Sequence, residues 1–364
     1  MKTIRASIKT VLLVLTAMSF TATFARADSY STTNLQSDIP GLAAHVDPNL
    51  VNPWGMAVPS ATGPIWVSDN GTGVSTLYNP LDGTPAPSPV PLVVTIPTSA
   101  RNKDRGNPTG VVFNGTSFFN VRLNGITAPA RFIFVSEDGS ISGWNPALNP
   151  NDRPHAIAIA VDNGTNLGSK RAIYKGATLG VANGHNFLYV TNFHTARVET
   201  YNENFQQVNP NGFIDPNLPA GYAPFGIRNI SVSGQSRIYV TYALQDAKGE
   251  DDVAGPGNGF VNIFDTSGNF VKRLVSNGNL NAPWGLALVE GGLWVGNFGD
   301  GTINNYDPTT GALIETISKA DLTPLQIDGL WDLLPLPFEM STAVYFTAGI
   351  ADEAHGLFGR ITED

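Results

Sequence analysis

The sequence predicts an all-β fold, a six-bladed β-propeller closed by its N-terminal strand, and three observations carry that expectation. A pattern of Pro-x-Gly, an aromatic-Val run and an Asn/Asp-Gly turn recurs along the chain. Each copy holds three short β-type runs bounded by turn residues, with a fourth apolar run before the next copy. The composition agrees: 38 Gly and 26 Pro with only 14% charged residues suit tight connections between strands. No helical period is sustained over a dozen residues beyond the N-terminal leader.

The clearest copy spans residues 282–307, with Pro283-Trp284-Gly285, then Leu293-Trp294-Val295, then Asn297-Phe298-Gly299-Asp300-Gly301. The first copy reads Pro53-Trp54-Gly55, Ile65-Trp66-Val67 and Asp69-Asn70-Gly71. The second starts at Pro108-Thr109-Gly110. The third has lost its proline but keeps Gly176, and the fourth begins Pro224-Phe225-Gly226. The sixth is degenerate and is anchored on Gly329. The anchor glycines 55, 110, 176, 226, 285 and 329 lie 44 to 66 residues apart, a spacing that suits four-stranded blades. Fourth strands are expected at 91–96, 156–161, near 212–214, 270–275 and 313–317. The sixth repeat runs out of chain, so residues 30–38 are expected to pair with 357–362 and hide two sheet edges.

Residues 1–27 read as a signal peptide, and residues 28–364 as one propeller domain. Lys2, Arg5 and Lys9 precede an apolar stretch at 11–20 that is short for a bilayer span, and Ala25-Arg26-Ala27 resembles a cleavage site. The expected localisation is therefore exported, periplasmic or secreted, with no membrane span in the mature chain. The chain has no cysteine, so disulfides are excluded and any metal must take oxygen or imidazole ligands. Removing the four basic leader residues shifts the net charge from −9 to −13, which argues against nucleic acid as a partner. A small polar ligand, a cation or a protein partner fits better, on a monomer.

The Pro-x-Gly opening, the aromatic-Val strand and the Asp/Asn-Gly turn resemble an NHL-type six-bladed β-propeller. The whole mature chain, with YSTTNLQSDIPG near its start and NPWGMAV soon after, is similar to a family of uncharacterised exported bacterial proteins. Some members of that family carry a PEP-CTERM sorting tail. This chain ends GRITED, without the apolar tail, which sets it apart from those members. The resemblance implies the fold and transfers no activity.

In this architecture the loops from second to third strand, and from each fourth strand to the next blade, share one face, and here they are long and polar. The residues singled out for a ligand on that face are His45, Asp47, Asp69, Asn70, Arg105, Asn192, His194, Asn297, Asp300, Asp352, Glu353 and His355. His45 with Asp47, and Asp352 and Glu353 with His355, come from loops on either side of the ring closure. Together they suit an oxygen-and-imidazole metal site or an acid–base pair; solvated loop residues are the plainer reading. Asp69, Asn192 and Asn297 occupy equivalent strand ends and either converge on a cation such as calcium or start the turns of their own blades. The acidic loop at 245–259 reads as flexible and solvated, with calcium binding as its alternative. Arg101, Lys103 and Arg105 form the one cluster of positive charge. Trp54, Trp284 and Trp331 are expected at the ring axis as packing between blades.

No nucleophile elbow, zinc-protease helix, phosphate loop or dinucleotide fingerprint is present. The functional expectation is a binding propeller without a recognisable catalytic set. The alternative is a calcium-dependent hydrolase or lyase of the lactonase type, since many six-bladed propellers hold calcium at the channel mouth.

Overall fold

The computed structural model describes residues 28–59, 63–79, 88–99, 104–164, 171–335 and 343–364. The expected signal peptide, together with Arg101 and Lys103, lies outside the described residues. The described residues form six blades in a ring, antiparallel throughout except where His45–Val46 lies parallel to Tyr30–Ser37, and each has its first strand innermost. Blade 1 starts at Pro53–Ala57, blade 2 at Pro108–Phe113 and blade 3 at Tyr174–Ala182. Blade 4 starts at Tyr222–Val232, blade 5 at Pro283–Val289 and blade 6 at Leu330–Pro335. Blade 2 also carries a hairpin, Asn120–Leu123 with Ile126–Pro129, between its first and second strands.

The N-terminal segment closes the ring. Tyr30–Ser37 lies antiparallel to Leu357–Glu363 as the fourth strand of blade 6, with a bulge between Asn34 and Gln36. Side chains reinforce the seam: Ser37 Oγ donates to Gly356 O at 2.7 Å, and Asp38 accepts from Gly356 N at 2.8 Å and bonds His355 Nδ1 at 2.6 Å. The ring thereby leaves no long unpaired sheet edge at the seam.

The Pro-x-Gly motif has a steric cause. A Cβ on Gly226 would lie 2.0 Å from Trp284 O, and one on Gly55 would lie 2.7 Å from Thr109 O. In blades 1, 2, 4 and 5 the innermost strand therefore runs against the backbone of the next at the narrow axis, within 2.0–2.7 Å of where a Cβ would sit, and glycine is required there. Hydroxyls from second strands stitch the same contact: Thr191 Oγ1 donates to Phe225 O at 2.8 Å, and Thr347 Oγ1 donates to Trp54 O. Mid-strand aromatics fill the gaps between blades, as in Trp66 stacked on Phe132 at 3.9 Å and Tyr30 edge-on to Trp294 at 5.4 Å.

Two local expectations fail. The register pairs Pro53 with Asp69 and Met56 with Val67, and in blade 6 it pairs Leu330 with Ala348 and Leu333 with Phe346. Trp331 thus takes the place of Trp54, and Asp332, not Gly329, takes the place of the motif glycine. In blade 3 the outer strand is Gln207–Val208 rather than a run near 212–214. Phe213 instead packs between blades 3 and 4, on Tyr189 of the former and Phe264 of the latter. No helix among the described residues is long and apolar enough to cross a membrane.

Candidate functional site

The middle position of the Pro-x-Gly motif, or its equivalent in blades 3 and 6 where the motif is broken, is held by Trp54, Thr109, Lys175, Phe225, Trp284 and Trp331. Trp54 and Trp331 stack with centroids 3.4 Å apart, Phe298 stacks on Trp331 at 4.0 Å, and Trp284 and Phe225 meet them edge-on. These rings, with Phe193, form a buried aromatic plug across the channel. They play the packing role expected of the tryptophans.

Lys175 is the exception among the six. Its side chain is 2% exposed, with Nζ 5.2 Å from the centroid of Trp54 and 5.8 Å from that of Phe193. Nζ donates to Glu137 Oε1 at 2.6 Å and to Asp251 Oδ1 at 3.1 Å. Burial alone pulls the lysine pKa down, but the two carboxylates more than offset it, and the net shift is upward. Lys175 therefore remains an ammonium at neutral pH.

Around it the polar loops of one face converge. Asn70 Nδ2 donates to Glu137 Oε2 at 2.9 Å, and Asn107 Nδ2 donates to Asn70 O at 3.0 Å. From blade 6, Glu353 accepts from Asn52 Nδ2 at 2.5 Å, while Asn52 Oδ1 accepts from Trp331 Nε1 at 2.9 Å. Burial raises the Glu353 carboxyl above its usual range, and nearby Glu137 and Asp251 add to that rise. Burial likewise pushes Asp252 up to about 6, opposed in part by Lys175. Among the described residues the mouth thus holds one ammonium beside four carboxylates from blades 2, 4 and 6. A pocket of about 300 Å³ opens beside it, lined by Glu137, Asp251, Arg171 and Glu250.

Of the residues singled out from sequence, Asn70 and Glu353 belong to this cluster. His194 borders it through Nδ1, 3.2 Å from Gly249 O on the acidic loop. The others are dispersed. Asp69 is buried and bonds Thr76 N within its own blade, with its pKa pushed well up by burial. Asn192 bonds Glu199 and Ile173 N, and Asn297 bonds Asn279 O, Thr302 and Asn281 N. All three shape the turns and neighbouring loops of their own blades. Asp300 caps its own turn through Thr302 and holds Asn281.

The seam histidines also separate. His45 is exposed on the short outermost strand His45–Val46, and His355 bonds Asp38. Asp47 is spent on Tyr78 and Asn49, Asp352 is exposed in a left-handed turn, and Arg105 donates to Thr72 O at 3.4 Å. No group of three or more His, Asp or Glu side chains among the described residues is arranged to hold a metal ion. The acidic loop is folded rather than loose: Asp246 Oδ1 accepts from Glu250 N at 2.8 Å, and this turn presents Asp251 to Lys175.

Lys175 was missed because the third repeat loses its proline, and Tyr174-Lys175-Gly176 then reads as ordinary strand. The available signal was a charged residue at a position otherwise held by Trp, Phe or Thr.

Past the plug, toward the opposite face, where tight turns such as 182–185 and 289–292 join first to second strands, the channel widens into a cavity of about 420 Å³ lined by the innermost strands. Arg228 of blade 4 reaches across it, with Nη2 2.7 Å from Asp332 Oδ1 and Nη1 3.0 Å from Leu333 O. Asp332 also accepts from Met56 N and Leu333 N, both at 2.8 Å. Burial raises the Asp332 carboxyl, and Arg228 opposes that rise.

No family model matches the chain. It is 30% identical over 335 residues to "Uncharacterized protein L690" of Acanthamoeba polyphaga mimivirus, covering 89% of this chain and 83% of that protein. It is also 30% identical over 346 residues to "Uncharacterized protein R648" of the same virus, covering 91% and 79%. Among solved structures it resembles a streptogramin B lyase, with a TM-score of 0.52, 14% identity and coverage of 93% and 98%. A gluconolactonase from Xanthomonas campestris matches with a TM-score of 0.51, 13% identity and coverage of 87% of each chain. At such identities the structural likeness shows the six-bladed propeller fold alone. By its sequence, the chain belongs to the family of these two mimivirus proteins.

Proposed function

We propose that this propeller binds a small donor-rich ligand, one bearing hydroxyl or ammonium groups, at the channel mouth around Lys175. The observation that carries this reading is the ammonium seated on Trp54 and Phe193 between Glu137 and Asp251, beside an open pocket. Among the described residues carboxylates outnumber cations there, so the mouth offers acceptors, and Asp251 is 75% exposed and ready to meet a ligand. Calorimetric titration with polyols, monosaccharides and primary amines tests it. At least one of these classes should bind, and Asp251→Asn with Asp252→Asn should weaken it by about tenfold. Absence of binding by all three classes, or an unchanged affinity in the double variant, contradicts the reading.

A second reading follows from Asp252, whose pKa near 6 suits a general acid or base in a hydrolase or lyase. Its calcium-dependent form needs an ion at the mouth, where the Lys175 ammonium already stands. Melting the protein with added Ca²⁺ and with EDTA separates the two readings: a calcium-dependent shift supports the enzyme, and identical curves retire the calcium form.

The same proposal takes the chain to be an exported bacterial protein of the kind its N-terminus resembles. The basic start, apolar stretch and Ala25-Arg26-Ala27 support it. N-terminal sequencing of protein recovered outside the cytoplasm should begin at Asp28; a retained Met1 contradicts it.

A further inference from the structure

We propose that the cavity beyond the aromatic plug is a second, separate binding site, for a small organic acid whose carboxylate is held by Arg228 and whose body is apolar. It rests on different residues from the mouth and stands whether or not the mouth binds a ligand.

The first argument is Asp332. The other five blades place glycine at this point of the innermost strand, and in blades 1, 2, 4 and 5 a Cβ would come within 2.0–2.7 Å of the neighbouring backbone. Blade 6 instead carries a carboxylate that is 2% exposed and accepts from two backbone amides and from Arg228. A buried ion pair is a weak source of stability, since desolvation consumes most of the attraction. Its effect here is orientation: it fixes a guanidinium inside the channel.

The second argument is the unused donors. A guanidinium has five N–H groups, and Arg228 places one on Leu333 O and one on Asp332. The rest find no protein acceptor among the described residues, and the side chain is 24% exposed where it lines the cavity. Asp332 has its oxygens turned to the backbone and to Arg228, so the group left to meet a ligand is a donor. A planar fork of donors matches a carboxylate in geometry and charge.

The third argument is the wall. Val58, Val111, Phe113, Leu179 and Leu286 line the same cavity, whose volume of about 420 Å³ lies in the range of small-molecule sites. Thr178 and Asn229 line it too, but Asn229 is already held by Thr178 Oγ1, Leu179 O and Ser236 Oγ. Arg228 beside these apolar residues suits an acid with an aromatic or aliphatic body.

Trp284 lines the cavity and supplies a fluorescence readout. Wild-type protein should be titrated with benzoate and hexanoate, with benzamide as the uncharged control. Saturable binding of at least one acid is expected, with benzamide weaker by about tenfold or more. Arg228→Met should abolish acid binding. Because that variant leaves Asp332 unpaired, Leu179→Trp provides a check that fills the cavity and keeps the ion pair; it too should lose binding while retaining the wild-type melting temperature. No saturable binding of either acid up to about 10 mM, equal binding of benzamide, or full binding by Leu179→Trp overturns the proposal.

Discussion

The two ends of the channel solve one problem in opposite ways. At the loop-rich mouth, the Lys175 ammonium rests on aromatic faces and is held by Glu137 and Asp251, both carried on loops and 27% and 75% exposed. At the tight-turn end, the Arg228 guanidinium is held by Asp332, which is built into an innermost strand and fixed by two backbone amides. The first cation is buried and its carboxylates reach water; the second reaches the cavity and its carboxylate is buried. The contrast shows that an ion pair takes its rigidity from the partner nearer the backbone. The mouth can rearrange around a ligand, whereas the far end presents a fixed fork of donors.

Breaking each pair from the cation side exposes this difference. Arg228→Met leaves the buried Asp332 carboxyl without its cation and is expected to cost about 3–5 kcal/mol at neutral pH, read by urea denaturation. The cost should shrink at acid pH, because Asp332 then takes up a proton. Asp332→Gly restores the regular motif but leaves Met56 N without its acceptor while Arg228 relaxes into the cavity; about 2 kcal/mol is expected.

The pH dependence of the mouth sharpens the comparison further. Asp252 has a folded pKa near 6 against an ordinary 3.8, so between those values the folded state holds a proton that the unfolded chain releases. Stability from this group is therefore present at low pH and falls as pH rises from about 4 to about 6. Asp252→Asn should remove that slope and raise stability at pH 7 by on the order of 2 kcal/mol, measured as melting temperature against pH. Lys175→Met should have the smallest effect, within about 1 kcal/mol, because methionine still packs on Trp54 and Phe193 and the released carboxylates hydrate.

The fold was legible in the sequence because a ring of blades repeats its steric demands. Glycine recurs where innermost strands touch, and Asp/Asn-Gly recurs at the same turn, so blade number, closure by residues 30–38 and the axial tryptophans could be read directly. The degenerate sixth repeat misled for the same reason: Gly329 lies just before the strand whose motif position has become Asp332. The site was much less legible. Asp69, Asn192 and Asn297 are periodic, and periodicity marks what every blade needs, which is turn formation. Lys175, Arg228 and Asp332 each break the pattern, and a single residue that breaks a repeat shows its partners only when the ring brings distant blades together.

The most direct test is a paired denaturation of Arg228→Met and Lys175→Met beside the parent protein at pH 7. The rigid and compliant seats require the arginine variant to lose at least about 2 kcal/mol more than the lysine variant. Equal losses, or a larger loss from Lys175→Met, would mean that the loop carboxylates are as firmly fixed as Asp332, and the distinction between the two ends would fall.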